Sequence, residues 1–203
     1  MMRLYYFRSG WNALKLIATI IANGLCMTQT DIATWSGDIY QRLLRHRIRQ
    51  VAYVPDAGHL QLIERCIESS EMVTVPLTTE EEGVALLAGA WLGGERGVLL
   101  MQSSGVGNCL NMLSLPRVCE MPLLMLVTMR GESGEFNPWQ VPMGRNTERL
   151  LTTAGVLAFP VSESGLLGEA VDAAIRKAFE GPSAVAVLIS QRILGIKTFG
   201  NQG

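Results

Sequence analysis

Six short apolar runs recur after residue 30, at Gln50–Pro55, Glu71–Leu77, Gly97–Gln102, Pro122–Met129, Gly155–Val161 and Ser183–Ile189. They are continuous rather than alternating, as expected of parallel strands covered by helices on both faces. Between them lie segments with helical spacing. Ile39, Leu43 and Leu44 mark one, Leu60, Ile63 and Ile67 a second, and Val84, Leu87 and Trp91 a third. Further helical stretches run over Leu110–Leu115, Glu148–Thr153 and Leu166–Phe179. Alternation of this kind predicts an α/β fold: an open, doubly wound, mostly parallel six-stranded sheet of Rossmann-like type with helices on both faces. No internal repeat interrupts it. One long irregular loop is expected at Gly131–Arg145, where Gly, Pro and polar residues concentrate.

The chain has 203 residues, 17 Lys+Arg against 18 Asp+Glu, and a formal net charge of −1. Near-neutrality excludes the basic excess of a nucleic-acid binder. A mean hydropathy of +0.24 points either to a membrane or to extensive burial against other chains. A spanning helix needs about 20 apolar residues. Leu14–Met27 is broken by Lys15, Asn23 and Gly24, and Met121–Met129 contains Pro122, so no membrane span is expected. Residues 1–28 read as an N-terminal extension, since Met27 opens a second polar start; a packed helix and a targeting-like segment are the other two readings. The domain is expected over residues 29–200. Cys26, Cys66, Cys109 and Cys119 have neither paired nor metal-ligand spacing, which suits a reducing cytoplasm.

In doubly wound sheets, ligands gather at the carboxyl ends of the strands, here after Val54, Leu77, Gln102 and Thr128. The segment Gln102-Ser103-Ser104-Gly105-Val106-Gly107-Asn108 reads as a glycine loop entering a helix. It lacks the lysine of a P-loop, and Leu110 stands where a dinucleotide fingerprint has its third glycine. A tight turn explains it equally well. Thr78-Thr79-Glu80-Glu81-Glu82-Gly83 opens a helix rich in Ala and Gly. Carboxylates in a first turn offset the macrodipole, with Thr78 or Thr79 as N-cap. The alternative is that one of them points inward, where desolvation favours the neutral form of such a group. Ala85, Ala88, Gly89 and Ala90 would let this helix approach a backbone or a flat ligand.

Taken in order, these motifs resemble the pyrimidine-binding (PYR) half of thiamine-diphosphate-dependent 2-oxo acid decarboxylases. The resemblance is nearest to the sulfopyruvate decarboxylase alpha subunit and phosphonopyruvate decarboxylase family. It rests on Val54-Pro55, the run from Thr79 to Val84, Ala88 to Gly94, Met101 to Asn108 and Gln140 to Arg145, across roughly residues 30–195. It implies a glutamate that hydrogen-bonds N1′ of the cofactor's aminopyrimidine, so that the cofactor can attack a 2-oxo acid and act as electron sink while CO₂ leaves. The family has a glycine nine residues beyond that glutamate, and Gly89 selects Glu80, with Glu81 as the alternative. Pro55, Ser103, Gly105, Asn108 and Gln140 are the cofactor-side residues that the resemblance implies, although Val106 replaces the family's more usual proline. Gln102, His59 and Arg145 could face an anionic substrate; an intersubunit ion pair is the other account of Arg145, a surface histidine is the plainer account of His59, and His46 reads as a solvated helix face. Trp91, Met112, Met121, Met125 and Met129 read as core or interface.

The family's diphosphate-binding Gly-Asp-Gly and downstream Asn have no counterpart, since Gly37-Asp38 is followed by Ile39. The resemblance therefore implies half of a site. A beta subunit holds Mg²⁺ and the diphosphate, in a hetero-oligomer acting on a small anionic 2-oxo acid. Carboligation or acyl transfer on the same cofactor and a non-catalytic PYR-like structural subunit are the alternatives.

Overall fold

The computed structural model describes residues 29–195, so the expectation for residues 1–28 lies outside the described residues. The first helix, α1 (Gln29–Arg45), buries Trp35, Ile39 and Leu43 at four-residue spacing and carries Arg42 and Arg45 in its last turn, where cations complement the helix dipole. The chain then runs through β1 (Ile48–Tyr53), α2 (Leu60–Glu68), β2 (Val73–Pro76), α3 (Glu80–Leu92), β3 (Arg96–Gln102), α4 (Ser103–Cys109) and α5 (Ser114–Val118). It continues through β4 (Leu123–Thr128), a 3₁₀ turn (Pro138–Gln140), α6 (Val141–Thr153), β5 (Leu157–Val161), α7 (Ser164–Glu180), β6 (Ala184–Ile189) and α8 (Gln191–Leu194).

All six expected strands are present. They form one parallel sheet in the order β2-β1-β3-β4-β6-β5. The interior strands β4 and β6 are buried at every position, which is why they read as unbroken apolar runs. Two cores flank the sheet. Leu43, Leu62, Val98, Leu126, Val171 and Val187 belong to the core under α1, α2 and α7. Val84, Leu99, Val106, Met125, Leu151 and Ala186 belong to the core under α3, α4 and α6. Met125 and Met129 are core residues, and Trp91 packs on the first core with its ring centroid 6.1 Å from that of Phe179.

From β1 the chain moves outward to β2 and then returns to the other side of β1 for β3. In such sheets that reversal marks the crevice outside the carboxyl ends of the two strands beside it, here β1 and β3, as the usual ligand position.

Three expectations need correction. The segment from Ser103 to Asn108 is helix, not loop; α4 follows β3 with no intervening residue. Gly131–Arg145 is irregular only in its first part, since the 3₁₀ turn and α6 occupy its second half. On α3, Gly83 lets the helix close on the sheet, because a Cβ there would lie 2.5 Å from a Leu99 methyl. Ala88 is buried, but Ala85 and Gly89 are exposed, and a Cβ on Gly89 would meet nothing within 4 Å.

Candidate active site

The three adjacent glutamates at the start of α3 have different environments. Thr79 is the N-cap residue in extended conformation. Glu82, in the third helical position, is exposed, and its Oε2 accepts the N–H of Thr78, the residue before the cap, at 2.9 Å. Glu80 is only 8% exposed, and its Oε2 accepts the Asn108 Nδ2–H at 2.7 Å. Glu81 has one oxygen, Oε2, buried without a hydrogen-bond partner.

The wall against Glu80 is the first turn and a half of α4. A Cβ on Gly105 would lie 2.3 Å from the Glu80 carboxyl, so only a bare backbone allows this approach. Burial, followed by the charges of Glu80 and Glu81, pushes the Cys109 thiol up to about 12. Both carboxylates thus act on one buried wall. On its other side α4 meets α6, where the Met143 Sδ lies 3.5 Å from the position of a Gly107 Cβ.

A second constellation crosses the crevice. Asp56, just beyond β1, accepts the Gln102 Nε2–H at 3.0 Å on one oxygen and the Thr128 hydroxyl at 2.5 Å on the other. The Ser104 hydroxyl donates to Gln102 Oε1 at 2.9 Å, so both ends of the Gln102 amide are engaged. One polar chain therefore ties together the carboxyl ends of β1, β3 and β4. Pro55 is exposed beside it.

A third set of contacts builds the loop that follows β4. Ser103 is buried, and its Oγ accepts the Arg130 N–H at 3.1 Å. The Arg130 guanidinium forms a bidentate pair with Glu135, at 2.7 and 2.6 Å. Their side chains are 10% and 1% exposed. Burial alone would raise the Glu135 carboxyl, but Arg130 and the N–H groups of Asn137 and Gly131 outweigh it and hold the pKa near 2. Glu132 joins the loop to α8 by accepting the Ser190 hydroxyl at 2.6 Å and the Gln191 N–H at 2.8 Å. The loop closes tightly on itself. Gly131 has φ +78, and a Cβ on Gly144 would lie 1.8 Å from the Arg130 carbonyl oxygen. Gln140 stands at the end of this loop with its Oε1 buried and unpartnered.

His59 is not a surface residue. It is fully buried, and its Nε2–H donates to the Leu126 carbonyl at 3.0 Å. Burial outweighs nearby Asp56 and lowers its pKa, so the neutral ring is a core group rather than a substrate contact. His46 is half-buried rather than solvated, with Nε2 2.9 Å from Asp172. Arg145 is exposed and lines a separate crevice of about 190 Å³ with Met129, Glu132, Ser162 and Ser190, at the ends of β4, β5 and β6. Glu80, Gly105 and Asn108 are thus in direct contact, and Ser103 joins them to the Gln140 loop. Asp56, Thr128, Arg130 and Glu135 carried no signal in the sequence. The turn after Pro55 resembles any Asp-containing turn, and a loop ion pair has no periodicity.

No family model matches the chain. Among curated relatives, the sulfopyruvate decarboxylase subunit alpha of Methanococcus maripaludis is 35% identical over 122 residues, 60% of this chain and 73% of the relative. That of Methanothermobacter thermautotrophicus is 36% identical over 141 residues, covering 67% of this chain and 83% of the relative. The phosphonopyruvate decarboxylase of Streptomyces viridochromogenes is 37% identical over 118 residues, which is 57% of this chain but only 30% of that longer protein. The chain belongs to the sulfopyruvate decarboxylase alpha-subunit family. It is a decarboxylase subunit, a carboxy-lyase component.

Proposed function

We propose that this chain is the pyrimidine-binding half of a thiamine-diphosphate-dependent decarboxylase of small anionic 2-oxo acids of the sulfopyruvate and phosphonopyruvate class. A beta subunit completes the site and holds most of the Mg²⁺ and diphosphate contacts. The observation that carries this reading is the buried Glu80 carboxylate, steered by Asn108 beneath the bare backbone of Gly105.

The groups present fit an aminopyrimidine. Glu80 offers a carboxylate to a ring nitrogen, and Glu81 Oε2 and Gln140 Oε1 are buried acceptors without partners. When bound, thiamine diphosphate supplies the carbon nucleophile and the electron sink that 2-oxo acid decarboxylation requires. Glu80 holds and moves the proton at N1′, a task for a positioned carboxyl shielded from water. Asn108 fixes which carboxylate oxygen faces the ring. Gly105 leaves room, Pro55, exposed beyond β1, is assigned to the rim of the ring site, and Ser103, fully buried, supports it from behind. Gln102, locked between Asp56 and Ser104, presents a fixed amide edge toward a substrate tail, and Arg145 offers a charge farther out.

Several observations support a partner subunit. The only Gly-Asp pair lies in α1, where Asp38 pairs with Arg42 at 2.9 Å. The relatives of similar extent are named as alpha subunits, and the longer phosphonopyruvate decarboxylase is matched over only 30% of its length. Trp139, Val118 and Leu92 are 84%, 78% and 74% exposed, large apolar groups suited to burial in an interface. Among the described residues no helix is long and apolar enough to cross a membrane. Cys66, Cys109 and Cys119 are free thiols, and we assign the enzyme to the cytoplasm.

The test is CO₂ release from sulfopyruvate, phosphonopyruvate and pyruvate, with thiamine diphosphate and Mg²⁺ present. The expected result is no turnover by the chain alone and turnover when a chain carrying the diphosphate-binding half is added. Turnover by the chain alone would refute the half-site reading.

A further inference from the structure

A cavity of about 510 Å³ opens at the opposite end of the sheet, where β1 and β3 begin. With about 3.3 Å of rise per strand residue, it lies about 20 Å from the crevice at the carboxyl ends. Arg45, His46, Arg47, Arg49, Glu95 and Arg96 line it. The chain is near-neutral with 17 Lys+Arg in all, yet four of its arginines converge here.

Their partners leave donor groups over. Glu95 lies in the wall, the Arg49 guanidinium donates to the Glu71 carbonyl at 3.2 Å with the Glu71 carboxylate 3.8 Å away, and Arg45 Nε donates to the Gln41 carbonyl at 3.4 Å. Asp172 is engaged by Arg42 and His46. The carbonyls of Arg42 and Leu44, at the end of α1, are taken by the N–H groups of His46 and Arg47 at 3.0 and 2.9 Å. Arg96 is steadied by the Phe179 ring, 5.1 Å from its guanidinium carbon.

The backbone adds an independent indication. Arg47 has φ +57, a left-handed conformation at a helix end where glycine is the least strained residue. A strained residue persists where the surroundings or a function hold it. Gly94, opposite, has φ +84 and no side chain to narrow the opening. Guanidinium forks match phosphate oxygens in pairs, and the volume exceeds what a bare phosphate fills.

We propose that this pocket binds a small organic phosphate monoester, held by Arg45, Arg47, Arg49 and Arg96 and separate from the decarboxylase site. The purified full-length chain is titrated calorimetrically with adenosine monophosphate, inorganic phosphate and adenosine at low ionic strength. Saturable one-site binding of the monophosphate, competition by phosphate and no binding of adenosine are expected. The double variant Arg47→Gly/Arg49→Ala is expected to weaken binding at least tenfold, with no fall in Tm and unchanged CO₂ release with the partner. Glu80→Gln leaves this binding intact. Absence of saturable binding, the same affinity in the double variant, or equal binding of adenosine would each overturn the proposal.

Discussion

The Glu80 carboxylate lies beneath Gly105 with the Asn108 amide on one oxygen, and this contact fixes the sign of a glycine substitution. By helix propensity alone, Gly105→Ala in α4 would stabilise the protein by up to about 1 kcal/mol. The added methyl would instead meet the carboxyl at 2.3 Å, and overpacking of that kind costs about 1–3 kcal/mol. Gly105→Ala is therefore expected to lower the urea midpoint and to reduce turnover as Glu80 shifts. A stable and fully active variant would show that the contact is not required. At this scale the sequence separated the glutamates only through resemblance. The structure distinguishes them by environment: Glu82 turns back to Thr78, Glu81 is half-shielded and Glu80 is buried. Gly89, the marker that pointed to Glu80, is exposed and has no packing role among the described residues.

Among the elements, the loop after β4 depends most on a single ion pair. Glu135 has its pKa held near 2 against an ordinary value near 4.5. At about 1.4 kcal/mol per pH unit, that is about 3 kcal/mol of stability. Because the folded value is depressed, this contribution is complete above about pH 5 and disappears as pH falls toward 2. The predicted outcome is that Glu135→Gln has a lower urea midpoint than the parent at pH 7, and that the gap closes between pH 5 and 2. A gap that does not change with pH would mean that the Arg130 pair is not what stabilises the loop. Burial lowers the pKa of His59, which makes both proteins less stable below about pH 6.5, so its effect cancels in the difference.

The six strands were legible because buried parallel strands are apolar at successive positions, as β4 and β6 show. The start of α4 was not. Gly105 and Gly107 argue locally for a loop, and packing against Glu80 and Met143 overrides that preference. The burial of His59 is illegible for a similar reason. Nothing local to the segment between β1 and α2 shows that the Leu126 carbonyl of β4 will receive its ring N–H.

For the molecule as a whole, the sheet order brings the ends of β1, β3 and β4 together, and the side chains that meet there are acidic or neutral apart from Arg130, which Glu135 already engages. Under the proposed function, such a surface suits the cofactor's aminopyrimidine better than its diphosphate, whose charges call for cations. The high hydropathy fits two buried core layers and exposed apolar groups such as Trp139 and Leu92. In this account the subunit contributes one proton-handling carboxylate and a rigid crevice, and the partner contributes the charge-binding half.

The most direct measurement is CO₂ release by the assembled complex carrying Glu80→Gln, with assembly verified by gel filtration. The amide cannot hold the N1′ proton, so turnover is predicted to fall about 10²-fold or more while the complex remains intact. Parent-level turnover from an intact Glu80→Gln complex would contradict the central claim.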